Sequence, residues 1–125
     1  MSNPPPTKLL PVLERLKCAY LLWYGYYQKL PRIHRYTLGE RIDFLFIELM
    51  EAIACASFSA RHEKMPFLRV AIRKLDALKI LLLVLWETKS LDTNKYGALS
   101  IPLEEVGRML GGWLRGIETK TPAGK

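Results

Sequence analysis

Apolar residues recur along the chain at steps of three and four, in four blocks set apart by proline, glycine and charged clusters, with no convincing alternation of period two. That spacing is the signature of helices buried along one side. In the first block, Leu9, Leu13, Leu16, Tyr20, Trp23, Tyr27 and Leu30 predict a helix from about Lys8 to Leu30, stopped by Pro31. The second block opens on Thr37 and Glu40 at capping-box spacing, in which each side chain satisfies a free backbone N–H of the first turn. Its core stripe is Leu38, Ile42, Leu45, Leu49, Ile53 and Ala56.

The third block, from about Lys64 to Lys89, has a heptad-like seam of Leu68, Ala71, Leu75, Leu78, Leu82 and Leu85, with Pro66 in the first turn. In the fourth, Asp92 suits an N-cap for a helix from about Thr93, and Leu103, Val106, Leu110, Trp113 and Ile117 form the stripe. Gly97 and Pro102 interrupt it, which predicts a kink near Pro102 or a restart capped by Ser100. Four amphipathic helices on short connections predict an all-α, antiparallel up-down-up-down four-helix bundle over residues 8–117. Residues 1–7 are expected to form a flexible arm and 118–125 a disordered tail.

Two helices carry more apolar surface than one core can use. The second adds Phe44, Ile47, Ala54 and Phe58 opposite its core stripe, and the third adds Ile80, Leu83 and Val84 in its second half. A second apolar face in so small a domain points to another subunit, so Phe44, Ile47, Phe58, Ile80, Leu83 and Val84 are candidate oligomer contacts. The stretch GRMLGGWLRG poses a related question, because three glycines inside a helix cost about 3 kcal/mol against alanine. Gly107 and Gly111, one turn apart beside the core stripe, are expected to let a neighbouring helix approach closely. Gly112 projects outward near Arg108 and Arg115 and offers backbone access to a partner, and Gly116 suits a C-terminal cap.

Charge changes the picture further. Nineteen Lys and Arg against twelve Asp and Glu give a formal charge of +7 over 125 residues, and it is segregated. Residues 1–35 carry +5, residues 36–60 carry −3, residues 61–91 carry +4 and the remainder +1. An acidic second helix neutralising basic neighbours accounts for part of this. The connections KLPRIHRY and ARHEK remain strongly basic, and Arg32, Arg35, Arg61 and Lys64 there, with Arg69, Arg73 and Lys74 on the third helix, are candidates for phosphate contacts that hold a backbone without reading its sequence. The competing account is a solvated, charge-rich loop at each connection.

Catalytic and metal patterns are missing. His34 and His62 lie in no H-E-x-x-H arrangement, Cys18 and Cys55 in no C-x-x-C, and Glu48 and Glu51 lack the Glu-x-x-His partners of a di-iron bundle. No phosphate-cradling glycine loop or nucleophile elbow occurs. The expectation is a protein that is not an enzyme and needs no cofactor or metal. Cys18 and Cys55 fall in helical apolar patterns and are expected to be buried, reduced thiols. No apolar run reaches the ~18 residues of a membrane span, and the start MSNPPPTK lacks signal-peptide character. No membrane association and a cytoplasmic location are the corresponding expectations.

Two stretches, RYTLGERIDFLFIELMEAI at 35–53 and EEVGRMLGGWLRG at 104–116, with the intervening ILLLVLWETKSLD, resemble the accessory variability determinant (Avd) proteins of diversity-generating retroelements. These sit in a wider family of small four-helix bundles that includes proteins encoded in ribosomal-RNA intervening sequences. The likeness runs from about Tyr20 to Ile117, carried mainly by R-Y-T-L-G and G-R-M-L-G-G-W; Pro102, Gly97 and the PPP arm depart from the family pattern. The resemblance implies a basic homopentamer, without catalysis of its own. Such a protein binds the reverse transcriptase of the same element and nucleic acid, RNA and also DNA with little sequence preference, in support of mutagenic retrohoming. It also marks Gly107, Arg108, Gly111, Gly112, Trp113 and Arg115 as a packing or partner motif. A scaffold bundle with protein contacts only is the alternative.

Overall fold

The computed structural model describes residues 10–120. Its elements are α1 (Pro11–Gln28), the single turn α2 (Arg32–Arg35), α3 (Leu38–Phe58), a 3-10 turn at Arg61–Glu63, α4 (Lys64–Glu87) and α5 (Thr93–Lys120). No strand occurs among the described residues. Each long helix packs against the helices before and after it, and α5 closes the ring against α1, giving the antiparallel up-down-up-down bundle. Position 8, where the first helix was expected to begin, lies outside the described residues, as do 1–7 and 121–125. The first helix ends at Gln28, two residues short of Leu30.

The core is one continuous apolar cluster. The six seam residues read from the third block, Leu68, Ala71, Leu75, Leu78, Leu82 and Leu85, are all buried. On α1 the buried line is Val12, Leu16, Ala19 and Trp23, with Leu13, Tyr20 and Tyr27 packed on its flank rather than at its centre. Trp23 is fully buried, stacks on Tyr27 with ring centroids 5.4 Å apart, and lies 6.1 Å from Phe46. Its indole N–H donates to Asp43 at 3.2 Å. Burial, and then the Asp43 carboxylate, push the pKa of the neighbouring Tyr20 hydroxyl up to about 12.

Three expectations about helix ends are corrected. The capping box does not form: Thr37 precedes α3, but its hydroxyl donates back to the Ile33 carbonyl at 3.2 Å, and no side chain caps the first turn. The preceding turn α2 offers that carbonyl one helical turn away, and the hydroxyl takes it instead. The restart at Ser100 does not occur either, since α5 runs unbroken from Thr93 through Pro102. Asp92 caps it as read, accepting from the Lys95 N–H at 2.8 Å. An internal proline costs about 3 kcal/mol, but Leu99, Leu103, Val106, Leu110 and Ile117 are buried on the same helix, and each contributes about 1.5–3 kcal/mol. The same burial carries α5 past Gly116, which is therefore a mid-helix residue and not a cap, to Lys120, three residues beyond the expected end of the bundle.

Cys18 and Cys55, expected to be buried, are both exposed. Both sit on helical turns just off the core line, where an apolar pattern alone does not separate flank from centre. No described helix is long and apolar enough to cross a membrane.

Candidate nucleic-acid interface

Alternation of helix direction fixes which connections meet. The α1–α3 connection and the α4–α5 turn share one end of the bundle, and the α3–α4 connection lies at the other. Since α3 has 21 residues, the two ends are separated by roughly 30 Å. The cations of KLPRIHRY and of ARHEK therefore do not form one surface within a subunit. Arg32 and Arg35 stand at the first end; Arg61, Lys64 and Arg69 stand at or near the second; Arg73 and Lys74 lie farther along α4.

Most of the second group is engaged within the fold. The Lys64 ammonium donates to the carbonyls of Ala56 at 2.7 Å and Ser59 at 2.8 Å, closing the C-terminal end of α3, and lies 5.9 Å from the Trp113 ring. It is a helix cap. Arg61 reaches the Gly116 carbonyl at 3.5 Å, Arg69 pairs with Glu118 at 3.3 Å, and Lys74 pairs with Glu48 at 3.3 Å. Arg73 is exposed, with no ion pair among the described residues.

The first end is different. The Nδ1 of His34 and the Oγ of Ser90 are 2.5 Å apart, tying the α1–α3 connection to the α4–α5 turn. This brings Lys29, Arg32 and Arg35 to the same end as Lys89 and Lys95. None of the five has an ion-pair partner among the described residues, although Glu40, Glu87 and Asp92 are close in sequence. Arg35 is partly consumed: it donates to the Leu30 carbonyl at 2.9 Å, while its Nε is buried without a partner. Lys95 sits 5.5 Å from the Tyr26 ring. Lys29, Arg32 and Lys89 are exposed and uncommitted, and of these three only Arg32 is among the candidates the sequence supplied.

Lys89 stands out on backbone grounds. Helix α4 ends in a Schellman motif, with the Ser90 N–H on the Leu85 carbonyl at 2.9 Å and the Lys89 N–H on that of Trp86 at 3.0 Å. Lys89, the first residue past the helix cap Thr88, is left-handed, with φ of 68°. A side chain there costs about 1 kcal/mol relative to glycine. Backbone strain accepted for a cation is a pointer to function, and the signal legible in the sequence was a lysine where helix-ending patterns favour glycine.

The glycine-rich stretch turns out differently from its expectation. A Cβ on Gly107 would lie 3.4 Å from Leu75 of α4, an ordinary contact, and one on Gly111 would meet only Arg115 of its own helix, also at 3.4 Å. Gly112 faces open space. The expected close approach of a neighbouring helix at Gly111 is absent within the subunit, because the α4 side chains end short of that flank. Arg108 and Arg115 are exposed and Trp113 is half-buried. The glycine that the fold does require is Gly39 in R-Y-T-L-G, where a Cβ would come within 2.8 Å of Leu30 and 2.9 Å of Tyr27.

Of the candidate oligomer contacts, Phe44, Phe58, Ile80 and Leu83 are exposed, Phe58 to 89%, while Ile47 and Val84 are half-buried. Leu21, Leu22 and Tyr24 on α1 and Ile101 on α5 are further exposed apolar side chains that the pattern reading passed over.

A search of curated proteins returns no match. The family model described as bAvd-like matches residues 12–117, a span that takes in all four long helices almost entirely, both motifs and the cationic end. The chain belongs to the bAvd-like family, accessory and non-catalytic proteins of retroelements.

Proposed function

We propose that this chain is the nucleic-acid-binding accessory subunit of a diversity-generating retroelement, working as a homo-oligomer that docks the element's reverse transcriptase and its template RNA or cDNA in support of mutagenic retrohoming. The observation that carries the nucleic-acid half is the cluster of cations without ion-pair partners among the described residues where the α1–α3 connection meets the α4–α5 turn, one of them on a strained backbone. Family membership supports the retroelement setting. The surplus apolar faces of α3 and α4 support self-association, and five copies is the number the family resemblance implies. Phosphate contact through Lys29, Arg32 and Lys89 neutralises backbone charge without selecting bases.

The substitution Lys89→Gly separates this reading from a scaffold with protein contacts only. It relieves the left-handed strain, so unfolding in urea should move to higher concentration by the equivalent of about 1 kcal/mol. RNA affinity should fall about threefold at moderate salt, and the dependence of log K on log salt should flatten by about 0.7 for one lost phosphate contact. Lys29→Glu with Arg32→Glu should weaken binding about tenfold or more, and more than Arg69→Glu with Arg73→Glu at the opposite half. Stabilisation by Lys89→Gly with RNA binding untouched, or no salt-sensitive RNA binding by the intact protein, would favour the scaffold.

Self-association has its own measurement. Light scattering at micromolar concentration is expected to give a multiple of the 14.4 kDa chain mass, five-fold on the family resemblance, and a monomer mass would refute it.

A further inference from the structure

We infer that the cationic end takes single-stranded nucleic acid in preference to duplex, with an unpaired base seated against Trp86; this rests on the nucleic-acid reading above. Beside Lys89 opens a cleft of about 460 Å³ lined by Trp86, Glu87, Lys89, Leu91, Asp92 and Thr93, a volume within the range of small-molecule sites. The Trp86 ring is held in place: it stacks on Tyr96 with centroids 5.4 Å apart, and its N–H donates to the Thr93 hydroxyl at 3.0 Å. It still keeps 36% of its surface exposed. Across the His34–Ser90 tie, Tyr36 is 62% exposed with the Arg35 guanidinium 6.0 Å from its ring centre.

Duplex binding through phosphates needs cations alone, and aromatic rings add nothing while the bases remain stacked on one another. Unpaired bases use such rings as platforms, and the phosphates between them need cations at intervals along the same surface. Lys29, Arg32 and Lys89 supply the cations here, and Trp86 and Tyr36 supply the rings. Glu87 and Asp92 make the cleft unfavourable for a phosphate while leaving carboxylate oxygens that accept from base N–H groups. Lys89, on its left-handed backbone, lines this same cleft beside Trp86.

The test compares a 20-nucleotide unstructured RNA with the duplex of the same sequence on the intact protein at one salt concentration. Single strand should bind at least fivefold tighter and should quench tryptophan fluorescence, the quench disappearing in Trp86→Leu. Trp86→Leu and, at an exposed position with little bearing on folding, Tyr36→Leu should each lower single-strand affinity about fivefold or more, in the range that base stacking on an aromatic ring contributes. Both should leave the salt dependence unchanged, whereas Lys29→Glu with Arg32→Glu should flatten it. Equal or tighter duplex binding, or single-strand affinity unaltered in both ring variants, overturns the single-strand inference and leaves phosphate binding standing. Loss of all RNA binding in the parent protein overturns both.

Discussion

Trp23→Ala is expected to destabilise the bundle by about 4 kcal/mol, as large-to-small replacements of fully buried aromatics do. The indole has no solvent exposure, bridges α1 to α3 through Phe46, stacks on Tyr27 and donates to Asp43. Truncation removes its buried area, opens a cavity between two helices and strips Asp43 of its indole donor. A domain of this size has about 5–15 kcal/mol in total, so the variant should be near the edge of folding at 37 °C. Urea unfolding followed by far-UV circular dichroism measures this directly. Trp23→Phe keeps most of the volume and loses the hydrogen bond, and should cost about half as much. A midpoint shift in Trp23→Ala worth under about 1 kcal/mol would show that the α1–α3 seam closes around the gap and that Trp23 is not a keystone of the core.

The second large effect separates two glycines that propensity treats alike. Gly39→Ala should cost about 2 kcal/mol although alanine is the better helix former, because its Cβ would meet Leu30 at 2.8 Å, Tyr27 at 2.9 Å and the His34 carbonyl at 3.1 Å. The first two are packed side chains and the third is backbone tied to the adjacent turn, so relief requires moving the start of α3 away from the end of α1. That movement would also disturb the His34–Ser90 contact and the cationic end it organises. Gly112→Ala is expected to do the opposite, raising stability by about 1 kcal/mol, since nothing lies within 4 Å of its Cβ site and only helix propensity changes. Thermal melts of the two variants in parallel give the signs. If Gly112→Ala instead lowers the melting temperature or the particle mass measured by light scattering, a second subunit packs against that backbone.

These glycines show where sequence and structure part. The spacing of Leu68 through Leu85 specifies a buried seam because helical periodicity is a local property, and every one of those residues is buried in the fold. Chain order and short connections likewise specify antiparallel neighbours, and Asp92 specifies the start of α5 through a bond spanning three residues. Thr37 and Glu40 have the right spacing for a cap yet do not form it, because the Ile33 carbonyl in the preceding turn outcompetes the α3 backbone for the threonine hydroxyl. Pro102 marks a break by its own chemistry, and the burial of five residues along the same helix overrides it.

The candidate site was legible in part. A basic α1–α3 connection is plain in KLPRIHRY, and Arg32 there is exposed, with no ion pair among the described residues. Lys64 looks equally basic in sequence but is a helix cap, because the carbonyls it satisfies become available only when α3 ends beside it. Lys89 and the Trp86 cleft gain meaning only once a contact between residues 34 and 90 sets one connection against the other. The sequence by itself determined the four long helices, the core-facing line of α4, the excess of apolar surface and the segregation of charge, all of which follow from residue type at helical spacing. Tertiary structure alone decided which cations share an end, which are consumed by carbonyls and carboxylates, and which glycine has no room for a methyl group, because those depend on distances between residues far apart along the chain.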